Sequence, residues 1–229
     1  MDRKNVLQTY AAYAKDSNLR LLSSSGAMFS LMAEDMLKCG GVVYGVAMSN
    51  DCKFAEFIRA DSLEQLAKIR SSKYLQAKVG NTFRNVKDDL DRGIKVLFTG
   101  AGCQINGLRA YLGQDFANLY CMDIICHGVP SPALWRKYVT HFECKNNAQL
   151  VSVNFRCKDK SWADFGMKEV DSRHREVFIP RKQDAYMQMF LKNYCLRPSC
   201  YECMAKEVKT SDITVADFWG IEEVLPQID

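Results

Sequence analysis

No run of about 18 apolar residues occurs anywhere in this 229-residue chain, which argues against a membrane-spanning helix. The opening MDRKNVLQTYAAYAKDSNLR has no apolar stretch of the kind that precedes a secretory cleavage site. Proline and glycine are few, 5 and 13, so the loop-rich texture of a secreted disulfide scaffold is missing despite ten cysteines. Lysine plus arginine total 31 against 27 acidic residues, and the small basic excess is spread along the chain, which does not indicate a nucleic-acid surface. Neither a G-x-S-x-G elbow nor a papain-like signature is present. His127 directly follows Cys126 on a strand, so the two side chains point to opposite faces and a cysteine-hydrolase pair is set aside. Repeats and low-complexity linkers are also lacking, and one domain over residues 1–229 is expected, with an α/β part at 1–145 and a second part at 146–229. What these absences leave is a reduced, cytoplasmic protein with 48% hydrophobic residues, enough to bury a core of its own.

The hydrophobic pattern predicts an α/β fold. A helix is expected from Gly26 to Lys38, where Met28, Leu31, Met32 and Leu37 recur at helical spacing, followed by a strand at Val42–Met48. Ser62-x-x-Gln65 is a capping box opening a helix that ends near Arg70. The run KVLFT at Lys95–Thr99 is a buried strand feeding a glycine-bounded turn and a helix from Gln104 to Leu112. Another strand covers Leu119–Cys126, and Ser131-Pro132 starts a helix reaching Cys144. Beyond Leu150 the pattern changes to alternation, with strands at Val151–Phe155, Gly166–Val170 and Val177–Ile179 forming an antiparallel extension. Asp184–Tyr194 is helical and Ile213–Phe218 is the last strand, giving a mixed sheet flanked by helices.

Four cysteines carry the chemistry: Cys103 in GAGCQ, Cys126 in IICHG, and Cys200 and Cys203 in RPSCYEC. A C-x2-C pair puts two thiolates on one turn, and two single cysteines at strand ends complete a four-thiolate cage for a metal or iron–sulfur cluster at the loop ends. Zinc and iron–sulfur are not separable by ligand type. Cys195-x4-Cys200-x2-Cys203 also fits a plant-type ferredoxin spacing, so Cys195 is an alternative ligand. Ser23-Ser24-Ser25-Gly26 ahead of a helix suits a phosphate as well as a plain N-cap. Gly100-Ala101-Gly102 is half of a dinucleotide turn, and its glycines let backbone approach a bulky cluster. Trp162, Trp219, Tyr74 and Tyr201 read as packing aromatics, although Asp217-Phe218-Trp219-Gly220 at a strand end also suits the edge of a flavin.

Seven segments in order, SSSGAMFSLMAEDML, SSKYLQA, FTGAGCQINGLRAYLG, DIICHGVPSP, VNFRCKDKSW, LRPSCYECMAK and SDITVADFWGIE, resemble the coenzyme F420 hydrogenase/dehydrogenase beta-subunit family. The resemblance implies an FAD- and [4Fe-4S]-dependent oxidoreductase that relays electrons between a reduced carrier and a substrate or partner, with a ferredoxin-type module or subunit as that partner. The family's cluster ligands fall on Cys103, Cys126, Cys200 and Cys203. Its flavin contacts fall on Ser24, Ser25, Gly26, Lys73, Tyr74, Asp217, Trp219 and Gly220, and Gly100, Gln104 and His127 join the cofactor-contacting set. His127, Lys73 and Arg156 are candidates to hold the anionic flavin or a substrate. Two departures stand out. Ala101-Gly102 replaces the family's Thr-Pro, which is expected to loosen the turn before Cys103. Bacterial relatives often carry an N-terminal ferredoxin module, and this sequence begins where that module would end and stops where relatives continue, so a fragment, a reduced paralogue or one partner of a split system is expected. The alternatives are a zinc-stabilised binding or assembly module without redox chemistry, or an enzyme of surface-polysaccharide metabolism on the same scaffold.

Overall fold

The computed structural model describes residues 8–159, 162 and 164–224. Its first part runs α1 (Ser17–Leu22), α2 (Met28–Lys38), β1 (Val42–Met48), β2 (Ala55–Ala60), α3 (Leu63–Ile69), β3 (Ala77–Lys78), α4 (Thr82–Asp91), β4 (Val96–Ala101), α5 (Gly102–Leu112), β5 (Leu119–Ile124) and α6 (Pro132–Asn146). The second runs β6 (Leu150–Cys157), β7 (Gly166–Asp171), β8 (Glu176–Pro180), α7 (Ala185–Leu191), α8 (Pro198–Tyr201), a 3-10 turn (Met204–Lys206), β9 (Ile213–Val215) and α9 (Ile221–Val224). Six strands form a mixed sheet in the order β3-β2-β1-β4-β5-β9, and β6-β7-β8 form a separate antiparallel sheet. The expected α/β class, mixed sheet and antiparallel extension are all present.

Period-2 alternation decides which strand residues meet which helices. On β1 and β4, Val43 and Leu97 point to the face covered by α2 and α3, where they meet Ala33, Leu66, Ile69 and Met122. Val42, Tyr44, Val96 and Phe98 point the other way, into a larger core with Val86, Ile105, Leu108 and Trp135. That core continues through Phe155, Met167, Tyr186 and Phe190, so the small sheet and α7 are packed onto the main one. Trp135 is fully buried and donates its indole N–H to the Cys52 carbonyl at 2.7 Å.

Several boundaries differ from the sequence expectation for local reasons. Helix α2 starts at Met28 because Ala27 takes a left-handed φ of +68°, and no side chain caps it. Ser23 and Ser24 are diverted to hydroxyl pairs with Ser30 and Ser72, both at 2.8 Å. The Ser62 cap holds, its hydroxyl accepting from the Gln65 amide at 3.3 Å, while Gln65 reaches back to the Asp61 amide instead of closing the box. The strands expected to reach Cys126 and Phe218 end at Ile124 and Val215. Helix α4 was not anticipated, although Phe83, Val86 and Leu90 have the spacing. It is tied to the sheet by buried Asp89, which accepts from the Tyr44 hydroxyl (2.8 Å) and from Arg59 Nε (2.7 Å).

Glu169 on β7 is the least compensated charge in this core. It is 0% exposed, and among the described residues neither carboxylate oxygen has a donor, because the neighbouring Tyr138 hydroxyl gives its proton to Asp184 at 2.6 Å. Burial raises the Glu169 pKa from 4.5 to about 7, with the nearby Tyr138 hydroxyl opposing, Asp184 adding repulsion and the Lys145 charge opposing further. A folded-state pKa above the unfolded one stabilises fully below pH 4.5, and that contribution is lost as pH rises through 7. Urea titrations of wild-type protein between pH 4.5 and 8 should therefore lose about 3 kcal/mol attributable to this group. Glu169→Gln should flatten that part of the profile, and an unchanged pH slope would show that the carboxyl is not the source.

Candidate functional site

Strand register gathers the predicted residues. Strands β4, β5 and β9 are parallel neighbours, with Ala101 opposite Ile124 and Ile124 opposite Val215. Two residues past each member of this row come Cys103, Cys126 and Asp217. All three therefore leave the sheet at its carboxyl edge, the side where open α/β sheets place their chemistry.

Cys200 and Cys203 are brought to the same edge by a segment fixed on both flanks. Before the pair, Pro130 and Leu196 form an antiparallel bridge, and the Arg197 amide donates to the Val129 carbonyl at 2.8 Å. A Cβ added at Gly128 would lie 3.4 Å from the Cβ of Cys200, which shows how closely the Cys126 loop meets the C-x2-C turn. After the pair, α5 grips the returning chain. Asn106 donates to the Val208 carbonyl (2.8 Å) and accepts from the Thr210 hydroxyl (2.8 Å), and Arg109 reaches the Thr210 carbonyl (2.7 Å) and both oxygens of Asp212 (2.9 Å). Buried Asp123 on β5 completes the clamp with Lys209, Ser211 and Thr214. Sequence reading missed these residues, whose polar side chains carry no motif.

Gly102 is buried as the first residue of α5, and a Cβ there would stand 3.0 Å from Asp123 Oδ2 and 3.3 Å from the Ala205 carbonyl. Its replacement of the family's proline therefore goes with close packing against the turn after Cys203, contrary to the expected loosening.

Two of the four thiols are raised by burial and by their sulfur neighbours. Cys126 is pushed up to about 11, first by burial, with the Gly128 amide opposing and the Cys103, Cys200 and Cys203 charges adding, while Cys103 is raised by burial with Cys203 and Cys200 adding to it. Cys195 is raised by desolvation alone and packs against the core, so it does not share this coupling. Among the described residues no three His, Cys, Asp or Glu side chains are drawn tightly enough to grip a single ion. Four cysteines gathered at one sheet edge suit a cluster in chemistry, since each thiolate of a cubane binds a different iron.

The predicted flavin residues form a chain of contacts in part. The Ser24 hydroxyl pairs with Ser72, whose side chain reaches the Tyr74 hydroxyl; Tyr74 also lies beside Arg156, and Arg156 Nη1 donates to Asp217 at 2.6 Å. Burial raises the Tyr74 pKa against the opposing pull of the Arg156 charge and the Ser72 hydroxyl, with Asp217 adding to the rise. Trp219 stacks with Trp162 at 4.3 Å, and Gly220 takes a φ of +83° that permits the turn. The uncapped first turn of α2 leaves amide groups open to an anion, as a pyrophosphate requires. Gly26 is pressed against the Ala12 carbonyl and Tyr13, next to half-buried Ser25. Lys73 fans onto the carbonyls of Lys68 (2.9 Å), Arg70 (2.5 Å) and Ser71 (3.2 Å), and desolvation lowers its pKa to about 7 even though the residue surface is only partly covered. The three carbonyls favour the ammonium, so its role in this geometry is to finish the turn after α3. Gln104 accepts from the Ala101 amide at 2.8 Å, leaning over Gly100. His127 is exposed and packs edge-on against Phe190 at 4.9 Å, the ring on which Tyr74 stacks at 5.0 Å. A depression of about 690 Å³ along α6 is lined by Ala133, Arg136, Lys137, Thr140, His141 and Cys144 and takes in none of these residues.

Residues 93–226, more than half of the chain, match the family described as the C terminus of the coenzyme F420 hydrogenase/dehydrogenase beta subunit, and the chain belongs to that family. Membership points to a redox role of the beta-subunit type. One solved structure of similar fold is a chain of the F420-reducing [NiFe] hydrogenase complex from Methanosarcina barkeri, at 15% identity and a TM-score of 0.53, covering 89% of this chain and 69% of that one. No curated protein matches the sequence. Among the described residues no helix is long and apolar enough to cross a membrane.

The raised thiol pKa has a measurable consequence in metal-free protein. At pH 8, Cys126 should alkylate roughly 100-fold more slowly than a free thiol, because a thiolate fraction near ~0.1% replaces the usual ~10% or more. Iodoacetamide labelling resolved by peptide mass spectrometry measures this. Labelling of Cys126 as fast as exposed Cys39 would show that its surroundings do not hold the proton.

Proposed function

We propose that the chain is an FAD- and [4Fe-4S]-binding oxidoreductase subunit that relays electrons between a reduced carrier and a partner or substrate. The observation that carries the reading is the shared row of strand ends, which sends Cys103, Cys126 and Asp217 off one sheet edge and faces them with the clamped Cys200 and Cys203. In it, Cys103, Cys126, Cys200 and Cys203 hold the cluster. Ser24, Ser25, Gly26 and the first turn of α2 receive the flavin phosphates, while Tyr74, Gly100, Gln104, His127, Asp217, Trp219 and Gly220 line its remainder and Lys73 shapes the adjoining turn. When bound, the flavin supplies exchange between two-electron and one-electron chemistry, and the cluster supplies a one-electron site.

This chain's own residues position and insulate. Phe190 packs against both His127, the neighbour of Cys126, and Tyr74, so the cysteine turn and one flavin residue share an apolar contact. Arg156 fixes the Asp217 carboxylate, which holds the Trp219 turn in place. A ferredoxin-type module or subunit is the fitting partner: Ile125, Tyr194, Tyr201, Met204 and Phe218 are exposed apolar side chains within a few positions of the cysteines and Asp217. The M. barkeri protein of similar fold is itself from a hydrogenase complex.

Anaerobic reconstitution should load about four iron and four sulfide per chain, with a broad absorption band that Cys200→Ser removes and Cys39→Ser leaves. FAD added to the loaded protein should bind with quenched fluorescence and raise the melting temperature. Stoichiometric zinc with no iron uptake would instead favour the non-redox assembly module. Cluster uptake without FAD or FMN binding would keep the iron–sulfur part of the reading and end the flavin part.

A further inference from the structure

Arg156 is buried yet only partly used. Its side chain is 6% exposed, Nη1 donates to Asp217, and Nε and Nη2 are buried without an acceptor among the described residues. Those two nitrogens form the side-on edge of the guanidinium, which grips two oxygens of one carboxylate or phosphate at once. Three rings surround the group, Phe165 at 4.8 Å, Trp219 at 5.7 Å and Trp162 at 5.9 Å. Rings of this kind stabilise the charge but do not satisfy in-plane N–H donors. Buried donors left without a partner are uncommon in folded proteins and call for an explanation.

A second cation has the same defect at the same ring. Arg181, just beyond β8, lies over Phe165 at 4.9 Å, and its Nε is likewise buried with no acceptor among the described residues. Lys158 is nearly buried two residues from Arg156, its ammonium donating to the Arg20 carbonyl at 2.5 Å. Burial and then the Arg156 charge lower its pKa to about 8, with Asp217 opposing and Arg20 adding to the fall. Asp217 pairs with one Nη of Arg156, and the remaining buried nitrogens of Arg156 and Arg181 leave positive charge and unused donors together at this ring.

We propose that Arg156 and Arg181 form an oxyanion subsite against Phe165, which takes the phosphate or carboxylate group of a ligand entering beside Trp219. Arg156 provides the bidentate edge, Arg181 a further donor, and Lys158 longer-range charge. Trp219, about half exposed, is the ring that a ligand displaces to reach the fork. The subsite does not depend on the flavin reading. Its oxyanion has two sources, the pyrophosphate of a bound dinucleotide or a separate acidic substrate.

Calorimetry and thermal unfolding of the full chain, at fixed ionic strength, with pyrophosphate and with malonate as probes, test the proposal. Wild-type protein should bind at least one of them saturably with a rise in melting temperature. Arg156→Lys keeps the charge but loses the fork and should weaken that binding about tenfold or more. Arg181→Gln should weaken it several-fold, and Arg136→Gln on the outer face of α6 should not. Absence of saturable binding of either probe to wild-type protein overturns the subsite. So does wild-type affinity in Arg156→Lys, or in Arg181→Gln where Arg156→Lys does not fold. Displacement of the bound probe by FAD assigns the oxyanion to the dinucleotide, and simultaneous binding assigns it to a separate acidic substrate; either result supports the subsite. Unchanged FAD binding in an Arg156→Lys variant that also keeps probe affinity would end this inference while leaving the flavin reading in place.

Discussion

The whole site rests on hydrogen-bond register between three parallel strands. A parallel ladder fixes which residues share a row, and the row Ala101, Ile124, Val215 sets the level at which three chains leave the sheet. A one-residue slip in β5 would turn its core-facing side chains outward and expel Met122 and Cys121 from their opposite faces, so the apolar core enforces the register. Position of the thiols is therefore a by-product of core packing. The C-x2-C pair is the exception, because it comes from a loop and must be delivered to the edge by other means.

Polar side chains provide that delivery, and their energetics explain why they are buried or nearly so. Asp123 is 0% exposed but accepts from Lys209, Ser211 and Thr214, so its desolvation is offset by three donors. Arg109 satisfies Asp212, whose other contact is the Cys121 amide at 2.7 Å on the neighbouring strand. This ties the returning chain to both α5 and β5. Removing one member leaves its partner unsatisfied, which is the expensive way to break such a contact. Arg156 and Glu169 differ in kind, because each retains hydrogen-bonding atoms unmatched among the described residues.

The parallel strands, the helices after them and the four cysteines were legible because each has a local signature: an apolar run, a glycine-bounded turn, a C-x2-C spacing. Helix α4 was not, since its apolar stripe of Phe83, Val86 and Leu90 is interrupted by five polar residues and its tie to the sheet runs through Asp89. Strand β2 was missed for a related reason: AEFIRA is short and only its Ala55, Phe57 and Ala60 are buried. The serines before α2 were legible as polar, but their partners, Ser30 inside α2 and Ser72 far along the chain, cannot be read from spacing. Arg156 carried a faint signal, a charge between Phe155 and Cys157 in a strand where all three are buried. Arg181 carried none.

One aromatic residue joins what the sheet register and the clamp assemble separately. Phe190 on α7 meets the His127 ring next to Cys126 and the Tyr74 ring on its other contact, and its carbonyl faces His127 Nε2 at 3.3 Å. Helix α7 is capped by Asp184, which accepts from the Met187 amide at 2.7 Å and from the Tyr138 hydroxyl beside buried Glu169. Tyr186 on the same helix donates to the Tyr74 carbonyl at 2.7 Å, giving Tyr74 a second attachment to α7. A shift of α7 therefore moves Phe190 and Tyr74 together. The Asp184 cap at its start lies outside the candidate site in sequence, yet it fixes the helix that carries Phe190 against both His127 and Tyr74.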